Sequence, residues 1–300
     1  MGLLIAKKYP TKLFLNAADH TYVECGNGGK AWGCWGGNTG GTAFNSGTGS
    51  TKRADCIAKP NERAGITCYL VNGVCHQAAN RILLPAGILV SAARGYSVSS
   101  AIFGTYGRVG FWLCSAPFDQ CPGVTGDLPA CLATKSPTPK SGKALAPTLP
   151  LLEGEDKHIR SIKQAYNKFD HLGATPLGAM KFHADLFDRE VKFRLGEDLG
   201  KVAKELRLAK ETVELNHRHM VEAFAHKKML PAEFIKAFNN MTLKFQDDVA
   251  SALNKTQYKK LLDLKRDEKV ILADPDIIKK LYGEGTVNEV YAEYGLVEGN

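Results

Sequence analysis

The sequence predicts an α+β N-terminal domain followed by an all-α helical domain. All eight cysteines and all three tryptophans lie before residue 132, and 20 of the 30 glycines lie within the first 140 residues. After residue 153 the chain is rich in Lys, Glu, Ala and Leu, and its apolar residues recur at helical spacing. The segment between these regions contains four prolines and predicts an extended linker. We therefore expect a cysteine-rich domain at residues 1–133, a Pro-rich linker at 134–152 and a helical accessory domain at 153–300.

The N-terminal domain is expected to contain short strands around one helix. Runs of β-branched and aromatic residues that end at glycine turns predict the strands, and a run that ends at Pro-Ala-Gly predicts the helix. The predicted elements are a strand at 20–25, its hairpin partner at 30–35, a glycine-rich loop at 36–50, a strand at 66–71, a helix at 74–84, and strands and turns at 87–110.

Three or four amphipathic helices are predicted between about His158 and Leu281. Phe234, Phe238 and Met241 illustrate the helical spacing of the apolar residues. Breaks are expected near residues 173–176, 230–231 and 274–275, each of which contains a proline. This pattern is typical of a helical bundle or hairpin.

Charge and hydropathy restrict the classes of partner. The formal net charge is +8, and the first 140 residues contribute most of it, with 13 Lys and Arg against 6 Asp and Glu. A basic surface favours anionic partners, but the basic residues are dispersed, so nucleic acid is not favoured. No window has the roughly 18 apolar residues of a membrane span. The apolar stretch before the first lysines is too short for the hydrophobic region of a secretory signal. We therefore expect a cytoplasmic protein if the N-terminus is complete, and a secreted or periplasmic one if a signal was removed.

Cys75 is the candidate nucleophile. It lies at the start of the predicted helix, where free backbone N–H groups and the helix dipole stabilise a thiolate and can receive an oxyanion. A thiolate nucleophile needs a histidine to transfer protons. The domain offers His20 and His76, and His76, the direct neighbour of Cys75, points about 100° away on a helix. His20, on a predicted strand, is therefore the candidate base.

Several side chains can orient the His20 imidazole. Glu24 lies on the same face of the predicted strand as His20, although its distance along the strand is long for a direct contact. Asn38 and Asp55 are equally permissible, and the sequence does not choose among the three.

Two short motifs resemble those of the permuted papain-like hydrolases and acyltransferases, the group around lecithin:retinol acyltransferase and the circularly permuted NlpC-type peptidases. The motifs are Asp19-His-Thr-Tyr-Val23 and Asn72-Gly-Val-Cys-His-Gln-Ala-Ala-Asn80, and the likeness covers roughly residues 15–110. The resemblance implies a small papain-like α+β domain with Cys75 as nucleophile and His20 as general base. It implies a thiol peptidase, amidase or acyltransferase that forms an acyl-enzyme and needs no cofactor. A peptide or bacterial cell-wall substrate such as peptidoglycan is expected, with a possible protein partner on the helical domain.

The alternative is a non-enzymatic binding protein whose eight cysteines form disulfides and whose helical domain mediates assembly. In that case disulfides would hold an irregular segment in place through Cys114, Cys121 and Cys131. Metal binding is not favoured, because the sequence has no Cys-x-x-Cys pair. His219, Glu222 and His226 share one helix face and could bind a metal, but such a row is more often a solvated face. We therefore expect no metal.

Overall fold

The computed structural model describes residues 1–11, 17–26, 29–34, 39–58, 69–109, 121, 154–169 and 175–294. The predicted linker at 134–152 lies outside these residues, as do Asn38, Cys114 and Cys131. The strands are β1 (Gly2–Pro10), β2 (Asp19–Cys25), β3 (Ala31–Gly33) and β4 (Thr42–Gly49). The helices are α1 (Thr51–Ala58), α2 (Cys75–Ile82), α3 (Tyr96–Phe103), α4 (Glu155–Lys168), α5 (Pro176–Leu195), α6 (Gly200–Ala225), α7 (Pro231–Ala252), α8 (Lys255–Leu262), α9 (Pro275–Tyr282) and α10 (Glu284–Tyr291).

The strands form one antiparallel sheet in the order β3-β2-β1-β4. The predicted α+β region followed by a helical region is confirmed, as is the hairpin of β2 with β3. The predicted loop at 36–50 is wrong for residues 42–49, which form β4. The glycines of β4 permit close packing instead of a turn, because a Cβ at Gly49 would lie 2.6 Å from the carbonyl carbon of Pro85.

Two further predictions between β4 and α4 have different outcomes. The helix predicted at 74–84 is confirmed as α2. The prediction of strands at 87–110 is wrong for residues 96–103, which form α3. Glycines at positive φ, Gly95 and Gly104, flank this helix. Its apolar residues are buried in the core, so tertiary packing overrides their strand preference. Of the strand predicted at 66–71, the structure describes residues 69–71, which lie in a bridge and a turn.

The helical region contains more helices than predicted, because the long helices are followed by three short ones. The expected breaks are confirmed at Pro176, Pro231 and Pro275, each of which begins a helix. No helix in the described ranges is long and apolar enough to cross a membrane.

The N-terminal and helical regions pack together in two hydrophobic clusters. A single apolar cluster contains Val74 and Phe103 from the first region together with Phe238 from the second, and the rings of Phe103 and Phe238 stack with centroids 5.7 Å apart. β2 is also tied to the segment before α9, since the N–H of Ala18 donates to the carbonyl of Ile271. This packing brings side chains from the end of the chain to β2.

Candidate active site

Cys75 is the first residue of α2, as predicted, and α2 packs against β2. The helix start is fixed by the side chain of Gln77, whose Oε1 accepts from the N–H of Val74 at 3.1 Å. N–H groups in the first turn of a helix lack intrahelical acceptors. The N–H of Cys75 is therefore placed to bind an oxyanion that forms next to its own sulfur.

Cys75 is a free thiol. Its Sγ donates to the carbonyl of Asp19 at 3.6 Å, and the residue is 4% exposed. Other cysteines of the same region are oxidised: Cys56 and Cys121 form a disulfide, and Cys25 is disulfide-bonded. The chain thus combines disulfides with a thiol that takes part in none.

His20 lies on β2 beside Cys75 and is fully buried. Its Nδ1 donates to Oδ2 of Asp274 over 3.3 Å. Burial alone would lower the pKa of His20, but the favourable interactions with Asp274 and with Cys75 outweigh burial and raise it from 6.5 to about 9. The imidazole is therefore protonated at neutral pH. Because Asp274 engages Nδ1, Nε2 is the nitrogen left for the thiol, and it has no hydrogen-bond partner among the described residues.

Asp274 is the N-cap of α9, and the cap fixes its carboxylate. Oδ1 accepts from the N–H of Asp276 at 2.9 Å, which leaves Oδ2 for His20. The N–H of Asp274 donates to the hydroxyl of Tyr69 at 2.7 Å, and that hydroxyl donates to the carbonyl of Leu272 at 3.3 Å. A carboxylate at a helix N-terminus is further stabilised by the helix dipole.

The carboxylate that contacts His20 is Asp274, which is not among the three candidates drawn from the sequence. Glu24 lies four residues farther along β2 and forms an ion pair with Lys7 at 2.5 Å, because β1 places that lysine beside it. Asp55 is engaged by Lys30 and by the indole N–H of Trp32. Asn38 lies outside the described residues. The sequence did contain a local signal for Asp274, since Asp before Pro is typical of a helix start, but not for its contact with His20.

His76 is held by contacts at both ring nitrogens. Its Nε2 contacts the carbonyl of Asp19 at 3.0 Å, and its Nδ1 contacts the hydroxyl of Ser99 at 2.8 Å. Burial lowers the pKa of His76 to about 4, so the ring is neutral. The carbonyl of Asp19 therefore accepts from both Cys75 and His76, which fixes the start of α2 next to His20.

Tyr9 forms the half-buried side of the site. Its ring stacks on the His20 imidazole with centroids 4.8 Å apart. Burial, followed by the charges of Asp274 and Cys75, raises the pKa of Tyr9, so its hydroxyl is neutral at physiological pH. Cys75, His20 and Asp274 are each at most 5% exposed. A substrate must therefore displace side chains to reach the thiol, and Tyr9 is the neighbour that already meets solvent.

The described parts of the chain contain no group of His, Cys, Asp or Glu side chains that could hold a metal ion. His219 is exposed on α6, and His226 is exposed just after the helix. Glu222 between them forms an ion pair with Arg218 at 2.6 Å. This row is a solvated helix face.

Comparisons with protein-family models, curated proteins and solved structures found no match to this chain. The functional argument therefore depends on the geometry of Cys75, His20 and Asp274.

Proposed function

We propose that this protein is a cysteine-dependent hydrolase or acyltransferase that acts on an amide or ester through an acyl-enzyme. Cys75 is the nucleophile, His20 the proton-transfer group and Asp274 the residue that orients His20. The observation that carries the proposal is the hydrogen bond of Asp274 to Nδ1 of a protonated His20, which leaves Nε2 for a free thiol at a helix N-terminus. This is the nucleophile, base and orienting-group arrangement that covalent acyl transfer requires.

The proposed reaction begins when the Cys75 thiol loses its proton to water, which gives a thiolate beside the His20 imidazolium. The thiolate then attacks the substrate carbonyl carbon. The new C–S bond gives a tetrahedral oxyanion, which the N–H of Cys75 stabilises. The imidazolium of His20 then gives its proton to the leaving amine or alkoxide as the bond to carbon breaks. A thioester remains. His20, now neutral, takes a proton from water, and the hydroxide attacks the thioester carbon. The C–S bond then breaks, which releases the acid and regenerates the Cys75 thiolate beside the His20 imidazolium. An amine or alcohol in place of water gives acyl transfer.

Peptides and peptidoglycan-type amides are the substrates to test first. The basic N-terminal region favours an anionic substrate, and the wall polymer of bacteria contains both peptide amides and carboxylates. The resemblance of the motifs around His20 and Cys75 to permuted papain-like hydrolases supports the same class. A protein partner on the helical region remains part of this proposal.

Thiol reactivity tests the proposal without a known substrate. The native protein is treated with iodoacetamide between pH 5 and 9, and the modified cysteine is mapped by mass spectrometry. We expect Cys75 to react near pH 6 at least about tenfold faster than an ordinary thiol, because a neighbouring imidazolium stabilises the thiolate. His20→Ala and Asp274→Asn should slow this reaction. Glu24→Gln is the matched control, since it removes a carboxylate from the same strand and should leave the rate unchanged.

The burial of Cys75 favours a second candidate function, a disulfide-stapled binding protein in which the thiol only fills the core. The same experiment separates the two. A Cys75 that stays unmodified in the native protein, or reacts at a rate indifferent to His20 and Asp274, supports the binding protein and contradicts the hydrolase.

A further inference from the structure

A cavity of about 660 Å³ lies between the end of α5 and α8, on the helical region of the chain. Its volume falls within the range of small-molecule binding sites, roughly 300–1,000 Å³. None of its lining residues belongs to the proposed active site, so its function is independent of the hydrolase proposal.

The cavity is lined mainly by cations. Lys255, Lys259 and Lys260 are exposed on α8, and none of the three has an acidic partner among the residues that the structure describes. Arg194 lines the α5 side and is bound by Glu190 and by the carbonyl of Lys260. Asp263 is the one carboxylate among the described residues of the lining. The lysine charges therefore exceed the negative charge that the cavity itself supplies.

A bound anion would relieve repulsion between lysines of this wall. Lys255 and Lys259 are four residues apart on one helix, so their like charges repel. Lys255 also lies in the first turn of α8, where the helix dipole is unfavourable for a cation. Lys259 and Lys260 lie in the last turn of α8, where the helix dipole favours cations. Lys255 is therefore the lysine of this wall whose charge a bound anion would compensate most.

We propose that this cavity binds a small molecule that bears two or more phosphate groups. Lysine binds phosphate as a point charge, and three ammonium groups on one wall match a multivalent anion better than a single negative charge. The ring of Phe193 and the aliphatic parts of the lysines form the apolar part of the wall, which accommodates the organic portion of such a ligand.

Inorganic pyrophosphate is the probe for this site, and titration calorimetry with the full chain measures its binding at constant ionic strength. We expect saturable binding that is weakened about tenfold in the triple variant Lys255→Gln/Lys259→Gln/Lys260→Gln, the loss expected from three exposed ion pairs. The charge-matched control is Lys52→Gln/Lys181→Gln/Lys228→Gln, which removes three exposed lysines away from the cavity and should keep the wild-type affinity.

Three outcomes would overturn the proposal. The wild-type protein could fail to bind pyrophosphate, or both triple variants could weaken binding equally, which would indicate a general electrostatic effect. Citrate could bind as tightly as pyrophosphate, which would contradict a preference for phosphate. All the substitutions are at exposed positions, and circular dichroism verifies that each variant is folded.

Discussion

The carboxylate of Asp274 lies 3.3 Å from Nδ1 of His20, although 254 positions separate the two residues in the sequence. Asp274 has one oxygen bound as the N-cap of α9 and the other bound to the imidazole. The helical region therefore completes a site whose other two members come from β2 and α2. If the proposed function holds, the N-terminal region alone lacks the group that orients its base.

Replacing Asp274 should change the titration of His20. In Asp274→Asn the pKa of His20 should fall from about 9 towards its usual 6.5 or below, because burial is then opposed by fewer favourable interactions. The pKa can be measured by NMR of the imidazole protons in both proteins. Turnover of a susceptible amide should fall about 100-fold, within the usual range for general acid–base catalysis. Glu24→Gln should change neither quantity, and an unchanged His20 titration in Asp274→Asn would contradict the assigned contact.

Acid should destabilise the fold through its buried neutral histidines. Burial lowers the pKa of His76 to about 4, and it also lowers those of His183 and His217. As the pH falls below about 6.5, these histidines bind protons in the unfolded chain but stay neutral in the folded chain. The free energy of unfolding therefore decreases between pH 6.5 and 4. For His76 alone the loss is about 3 kcal/mol. His20 contributes in the opposite sense, since its raised pKa stabilises the fold below about 6.5 and this contribution is lost as pH rises through about 9.

Urea unfolding at several pH values between 7 and 4 measures this effect. His76→Gln removes one titrating group but retains a side-chain donor for the carbonyl of Asp19, so its stability should decline less steeply with acid than that of the wild type. His219→Gln, an exposed position on α6, should leave the slope unchanged. Equal slopes for wild type and His76→Gln would show that His76 does not contribute.

The Cys56–Cys121 disulfide should contribute substantially to stability. It closes a sequence separation of 65 residues, and the loop-entropy relation predicts about 4 kcal/mol for such a loop. Cys56→Ala/Cys121→Ala should therefore unfold at clearly lower urea concentration. Mass spectrometry of a non-reduced digest should recover the linked peptide, together with Cys75 as a free thiol. An unchanged unfolding midpoint in the double variant would be inconsistent with this contribution.

The buried ion cluster between α6 and the end of α3 should also be sensitive to substitution. Glu214 contacts Arg108 at 2.6 Å and Lys210 at 2.6 Å, and all three are at most 2% exposed. Glu214→Gln leaves two buried cations without a carboxylate and should cost about 3–5 kcal/mol of unfolding free energy. Glu205→Gln breaks an exposed pair with Lys201 on the same helix and should cost less than about 1 kcal/mol. Equal losses of unfolding free energy in the two variants, measured by urea unfolding, would contradict this prediction.

Local sequence patterns were sufficient to predict the strand that carries His20 and the helix that carries Cys75. The β-branched run after Asp19 indicated β2, and Cys75 at the start of α2 followed from the strand, turn and helix signals around it. Local sequence patterns gave the wrong prediction where packing against other segments determines the backbone conformation. β4 has the composition of a loop and α3 has that of strands and turns, yet close packing on Pro85 and burial in the core determine them.

The sequence by itself determined the α+β and helical regions, the nucleophile candidate and the histidine that could serve it, because each depends on residues near one another in the chain. Only the tertiary structure decided which carboxylate meets His20. Glu24 is near in sequence but is bound by Lys7, whereas Asp274 is distant and is brought to His20 by the shared core. Contacts between distant segments depend on how whole elements pack, and a local pattern does not specify that packing.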